Sequence, residues 1–136
     1  MANTISVEIV DADSSVYSGE GVLISATASM GEIGIMHGHT PFLSSLKPGH
    51  VTVKHKDGSE DEMFITGGFI EVQPTHVSIL ADTAERAEDL DKKMAEEAMR
   101  EAQEALRSAT GPDFNRAQSA LAEASARLLF IQRIHK

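Results

Sequence analysis

Cysteine and tryptophan are absent from this 136-residue chain, and aromatic residues of all kinds make up 4% of it. Without a thiol there is no disulfide, no thiolate zinc or iron–sulfur site and no cysteine nucleophile, so a reducing compartment, the cytoplasm, is the expected setting. Long apolar runs are missing too. The longest is Leu128-Leu129-Phe130-Ile131, and the Met-Ala-Asn-Thr start has neither the basic nor the apolar region of a signal peptide. The chain is therefore expected neither to span a membrane nor to be exported. Positive charge is scarce: 12 Lys and Arg against 21 Asp and Glu leave a formal net charge of −9. A nucleic-acid binder needs clustered Lys and Arg to neutralise phosphates, and this balance argues against one.

What is present is unevenly spread. Nine of the ten glycines and three of the four prolines lie before residue 75, and after residue 80 the chain is rich in Ala, Glu, Arg and Met. This shift places a domain boundary near Ala81 to Glu88, giving a first domain of residues 1–84 and a second of residues 85–136. Residues 113–136 carry two acidic against four basic side chains, net +2, and form the one segment suited to an acidic partner.

Before the boundary, short runs alternate with period two: Ile5, Val7 and Ile9; Val51 and Val53; Ile70 and Val72; Val77 and Ile79. Such alternation marks half-buried strands. Asp57-Gly58 predicts a tight hairpin turn between strands at about His50–His55 and Glu60–Thr66. Many short strands with turn signals at Gly19, Pro48-Gly49, Gly67-Gly68 and Pro74 predict a small β-sandwich or flattened barrel. After the boundary, Asp89 to Arg107 has strong helix formers and acidic residues at its start, and Gly111-Pro112 ends it. Asp113 is expected to cap a second helix running to about Ile134, with Phe114, Ala117, Leu121, Ala124, Leu128 and Ile131 as its stripe. Leu90, Met94, Ala98, Ala102 and Ala105 or Leu106 answer it. The fold class is thus an all-β sandwich followed by an antiparallel two-helix hairpin. Alanine contacts bury little area at about 25 cal/mol per Å², so the hairpin is expected to be weakly held.

The chemical candidates are few. His37-x-His39, with Glu32 nearby, is similar to the metal motif of cupins. That motif needs a Glu four or five residues on, where this chain has Leu43 and Ser44, and a later His followed by Asn, whereas His76 is followed by Val77. Three or four protein ligands are usual for a metal, and a glycine-rich turn with backbone-bonded histidines is the simpler reading. No Ser has a base and an orienting partner patterned around it, and Gly67-Gly68 lacks the Lys and Ser/Thr of a phosphate loop. The expectation is a non-catalytic chain that works through its surfaces and needs no cofactor.

The order of motifs is itself informative. Gly31-Glu32-Ile33-Gly34-Ile35-x-x-Gly38-His39-x-Pro41 is followed by Lys47-Pro48-Gly49, Gly67-Gly68-Phe69-Ile70-Glu71-Val72, Leu80-Ala81-Asp82-Thr83-Ala84 and an Ala-rich helical hairpin. This succession, over essentially the whole chain, resembles the epsilon subunit of bacterial F-type ATP synthases. The resemblance implies a non-catalytic rotor subunit of the central stalk, peripheral to the cytoplasmic face of the bacterial inner membrane. Its implied partners are the gamma subunit, the c-ring and the α and β subunits. It further implies a c-ring contact at Ser29, Met30, Gly31 and Glu32, and a gamma contact near Asp11, His39 and Ser44. The hairpin would extend into the catalytic ring to inhibit ATP hydrolysis, with Arg116, Arg127, Arg133 and Lys136 facing acidic segments.

Some members of that family bind ATP through an apolar-Asp-x-x-Arg-Ala motif together with arginines of the second helix. Here the motif reads Leu90-Asp91-Lys92-Lys93-Met94-Ala95. Met94 stands where the Arg would be, so a charge-assisted contact of about 1.5–3 kcal/mol is missing. Asp91 and Arg127 remain as contacts for weak ATP binding. The second class left open is a small metal-dependent, cupin-like enzyme using His37 and His39.

Overall fold

The computed structural model describes residues 3–134. Nine strands come first: β1 (Ile5–Val10), β2 (Ser15–Gly21), β3 (Leu23–Ala28), β4 (Gly31–Ile35), β5 (Phe42–Lys54), β6 (Glu60–Ile65), β7 (Gly68–Gln73), β8 (His76–Ala81) and β9 (Ala84–Arg86). A 3₁₀ turn at Ala87–Asp89 leads to α1 (Lys92–Ser108) and α2 (Pro112–Ile134). The chain separates into two compact units, one ending at Ala87 and the other beginning at Glu88.

In the first unit the strands run in the order β2-β1-β8-β7-β5-β3-β4, with β6 paired to both β5 and β9. All pairings but one are antiparallel. The exception is β1 with β8, where Ser6 to Val10 lie beside His76 to Leu80. β5 is the hinge of the architecture. Its first part, Phe42 to Leu46, pairs with β7, and its last part, Gly49 to Lys54, pairs with β6. Lys47-Pro48 falls at the changeover, where the missing proline N–H interrupts no ladder bond. One strand thereby serves two layers, which is how a single sheet closes into a sandwich.

The alternating residues fill the space between the layers. Ile5, Val7 and Ile9 of β1, Val77 and Ile79 of β8, Ile70 and Val72 of β7, Val51 and Val53 of β5, and Ile24 and Ala26 of β3 are all fully buried in one cluster. At about 1.5–3 kcal/mol for each large aliphatic side chain, this cluster is the main stabilising contribution to the unit. The β5–β6 connection turns at Asp57-Gly58 as expected, with Gly58 N donating to His55 O at 3.0 Å and Gly58 at φ +89°. His55 N donates to Ser59 O at 2.8 Å and Asp57 Oδ1 accepts from Ser59 N at 2.9 Å, so the loop spans residues 55–59.

In the second unit, α1 and α2 pair as a hairpin. Three expectations need correction. Helix α1 begins at Lys92 rather than Asp89, because Asp91 turns its carboxylate onto the N–H groups of Lys93 and Met94 and so fixes the first turn. The acidic Glu88 and Asp89 fall in the 3₁₀ turn instead. Asp113 is inside the first turn of α2 and not its cap, since Phe114 N already bonds to Gly111 O. The α1 stripe is also rotated. Ala95 and Ala102 are buried, with Ala98, Met99 and Leu106 half-buried beside them, while Met94 and Ala105 point outward. On α2, Ala117, Ala124 and Ile131 are buried as the spacing predicts, and Phe114 is exposed.

Candidate interaction surfaces

The β3–β4 hairpin projects the first surface. Ala28 pairs with Gly31 across a two-residue tip, Ser29-Met30, and Ser29 N is tied to Ser45 O at 3.0 Å. Gly31 takes φ +126°, a value that side-chain-bearing residues rarely adopt, so a glycine is what lets the chain reverse here. The result is a Met30 side chain 95% exposed at the tip of a hairpin. Glu32, next along, is turned back onto the sheet: its Oε2 accepts from Thr27 Oγ1 at 3.3 Å and its Oε1 is bonded to Nε2 of His50. The four residues Ser29, Met30, Gly31 and Glu32 are therefore contiguous and accessible.

A second surface lies on the face of the sheet that points away from the core. Because β1, β8, β7 and β5 are neighbours in register, Val10, Leu80, Phe69 and Ser45 form one row across them. Leu43 lies two residues from Ser45 on the same face. Leu43, Phe69 and Leu80 are 69%, 60% and 60% exposed, an apolar band on an otherwise polar surface. Asp11 directly follows Val10 at one end of this row, where its Oδ1 accepts from the N–H groups of Asp13 and Ser14, both at 3.0 Å, and shapes the β1–β2 turn. Ser44 sits between Leu43 and Ser45 but is paired with Ile70, on the core side. His39 lies toward the other end, its Nδ1–H donating to Thr40 O at 2.6 Å and its ring edge-on to Phe42 at 6.4 Å.

Asp11 and His39 thus border the apolar band, Ser44 lies on the opposite face of its strand, and the three do not converge on one point. The band itself was missed in the sequence, although its signal was there. Phe69 falls out of phase with buried Ile70 and Val72, and Leu80 falls in phase with His76 and Ser78.

The metal reading finds no donor set. His37 borders a groove with Met36, Leu23 and Lys54, while His39 is engaged with Thr40, and among the described residues no group of three His, Asp or Glu is placed to share an ion.

In the helical unit, Arg127 lines a cleft of about 350 Å³ whose floor is Ala98, Ala102, Ala120 and Ala124 and whose rim adds Glu101 and Glu123. Asp91 is not among the lining residues. Two carboxylates against one guanidinium, with Arg127 3.6 Å from Glu123, make a poor seat for a polyphosphate. Arg116 lies 3.9 Å from Asp113 on the exposed helix face, and Arg133 stacks over Phe130 at 5.8 Å. Lys136 lies outside the described residues. Among these residues no helix is long and apolar enough to cross a membrane.

A hydrogen-bonded line that sequence reasoning also missed runs beneath β9. Arg86 donates to Val16 O at 2.8 Å and lies 5.8 Å over the Tyr17 ring; Tyr17 donates to Asp61 at 2.9 Å; and His55 Nε2 lies 2.7 Å from the same Asp61 oxygen. Burial, reinforced by Asp61, pushes the Tyr17 hydroxyl up to about 12. The His55 hydrogen bond holds Asp61 below the usual carboxylate range and His55 above its ordinary value.

Known proteins share both units. The family model described as the ATP synthase delta/epsilon chain, beta-sandwich domain, matches residues 4–87, and that of the long alpha-helix domain of the same chain matches residues 88–132. The ATP synthase epsilon chain of Teredinibacter turnerae is 49% identical over 138 residues, covering 100% of this chain and 98% of that one. The epsilon chain of Nitrosococcus oceani is 48% identical over 137 residues with the same coverage. A chain of the Euglena gracilis mitochondrial ATP synthase shares the fold with a TM-score of 0.83 at 24% identity, covering 90% of this chain and 78% of that one. One from the Tetrahymena thermophila mitochondrial ATP synthase central stalk and c-ring gives 0.58 at 16% identity, covering 97% and 96%. With both domains matched in order and relatives near one-half identity end to end, the chain belongs to the ATP synthase delta/epsilon family as a non-catalytic epsilon chain of the bacterial type.

Proposed function

We propose that this chain couples the gamma subunit to the c-ring in the rotor of the proton-translocating ATP synthase, at the cytoplasmic face of the bacterial inner membrane, and that its helical unit restrains ATP hydrolysis. The observation that carries the reading is the apolar band Leu43, Phe69 and Leu80 on the outer face of the sheet, bordered by Asp11 and His39. Gamma is the occupant this reading assigns to the band, since a rotor subunit needs a broad, rigid, apolar face against its axle. The β3–β4 tip, with Ser29, Met30, Gly31 and Glu32, meets the c-ring. The α2 side chains Arg116, Arg127 and Arg133, together with Lys136, meet an acidic segment of the β subunit when the hairpin opens. A small stripe of alanines suits an element that must leave one partner for another, because a two-state switch works with a gap of only a few kcal/mol. ATP binding to the folded hairpin is weak.

Two measurements test this. Phe69→Glu combined with Leu80→Glu should abolish co-purification with gamma while the isolated chain stays folded; retained co-purification would remove gamma from this face. Deleting everything after Gly111 should raise ATP hydrolysis by complexes of matched epsilon content, and an unchanged rate would mean that the helices do not inhibit.

A further inference from the structure

We propose that His50 is the positioning residue of the ring-facing hairpin: it holds the Glu32 carboxylate against the sheet, so that the Ser29-Met30 tip is offered in one orientation. The proposal rests on the reading of that tip as the c-ring contact.

Glu32 lies on β4 opposite Thr27 of β3, and β4 is the last strand of the sheet order. A glutamate on such a strand ordinarily samples many rotamers in solvent. Here its side chain is 58% exposed, yet both oxygens are engaged within the chain, one by Thr27 and one by His50. The His50 side chain is only 11% exposed. Its backbone N–H donates to Thr27 Oγ1 at 3.2 Å, so the Thr27 hydroxyl joins β5 to the same carboxylate.

The far side of the imidazole is fixed as well. Nδ1 lies 2.9 Å from Thr52 Oγ1, and Thr52 gives its hydroxyl hydrogen to Glu62 Oε1 at 3.3 Å. A carboxylate only accepts, so Nε2 donates to Glu32. The ring is therefore held at two points, with Nε2 turned to the Glu32 carboxylate. The line Glu32–His50–Thr52–Glu62 spans β4, β5 and β6. Its first link passes over β3 and ties the hairpin directly to β5, the strand that serves both layers.

The test is a double-mutant cycle in assembled enzyme with matched epsilon content, read as ATP-driven proton pumping per ATP hydrolysed in inverted membrane vesicles. Backbone relaxation at Met30 and Gly31 is measured in parallel on the isolated full chain. His50→Leu should lower pumping about as far as Glu32→Gln, at most about five-fold for a contact at an interface rim. Both should raise motion at the tip, and the double variant should be no worse than either single one. His50→Gln, which keeps a donor, should recover most of the loss. If His50→Leu costs as much in the Glu32→Gln background as in the wild type, His50 does not act through Glu32 and the proposal falls. If tip motion rises in the single variants while all variants pump like the wild type, the tie exists but the tip does not meet the ring. That result overturns both the positioning role and the c-ring reading.

Discussion

Tyr17 donates its hydroxyl to Asp61 across the interior edge of the sheet, at 2.9 Å and 44 positions apart in the chain. The bond joins β2 to β6, strands that are not neighbours in the sheet order. Tyr17→Phe keeps the ring beneath Arg86 and removes only the donor. The expected cost is about 1 kcal/mol of unfolding free energy, read from urea denaturation, with the slope unchanged. A loss below about 0.3 kcal/mol would mean that water replaces the bond at no cost.

The pH dependence of stability follows from the other partner of Asp61. His55, raised above its ordinary 6.5 mainly by its hydrogen bond to Asp61, contributes fully below 6.5, and the contribution is lost as pH rises through the raised value. Asp61, lowered from 3.8 mainly by the same bond, contributes above 3.8 and loses it as pH falls through the lowered value. Between 3.8 and 6.5 both are present. Asp61 is half exposed, which limits the pair to under about 1 kcal/mol. Unfolding curves at acid and alkaline pH should show the wild type losing more on going alkaline than His55→Gln. Parallel losses would exclude the pair as the cause.

Gly68 opens β7 with φ +135°, and a methyl group there would lie 2.0 Å from Leu80 O and 2.9 Å from Ala81 Cα. These are backbone atoms of the paired strand and cannot swing aside. Gly68→Ala should therefore destabilise the sandwich by roughly 3 kcal/mol or more, seen as a large fall in the thermal midpoint. A near-neutral variant would show that β7 and β8 can separate at this end.

For the nucleotide question the geometry redirects attention from Met94 to the cleft. Met94 is exposed and does not line it, whereas Glu101 and Glu123 stand on its rim. ATP should bind the isolated chain with a dissociation constant of about 1 mM or worse, and Glu123→Gln should tighten it more than Met94→Arg. NMR titration decides; the opposite ranking would place the phosphates near Asp91. In the same series, Asp91→Ala should cost about 1 kcal/mol of helix stability, through the lost cap on Lys93 and Met94, with ATP affinity unchanged.

The strands were legible because Ile5, Val7 and Ile9, or Val77 and Ile79, bury one face each, and a period of two leaves a plain trace in the sequence. Helix α1 was harder to place. Alanine occupies 95, 98, 102 and 105, and with so many small residues several faces look alike, so only packing shows that Ala95 and Ala102 are inside. The Glu32–His50 and Tyr17–Asp61 links were illegible for a different reason: each joins residues whose proximity is a product of sheet order, which no local pattern encodes. His50 looked like any polar residue in a strand. The apolar band lay between these cases, visible in the phase of Phe69 and Leu80 once the strands are aligned.

The parallel pairing of β1 with β8 sets Ser6 beside His76, about 70 residues later, and this separation dictates when the protein can fold during synthesis. Until β8 has left the ribosome, β1 can pair only with β2, and its apolar side waits uncovered. The helical unit emerges last, when the sandwich already has every strand it needs. A nascent chain whose β8 has not yet emerged from the ribosome should thus be a target for chaperones and proteases, whereas one that has emerged past Ala87 should already resist them.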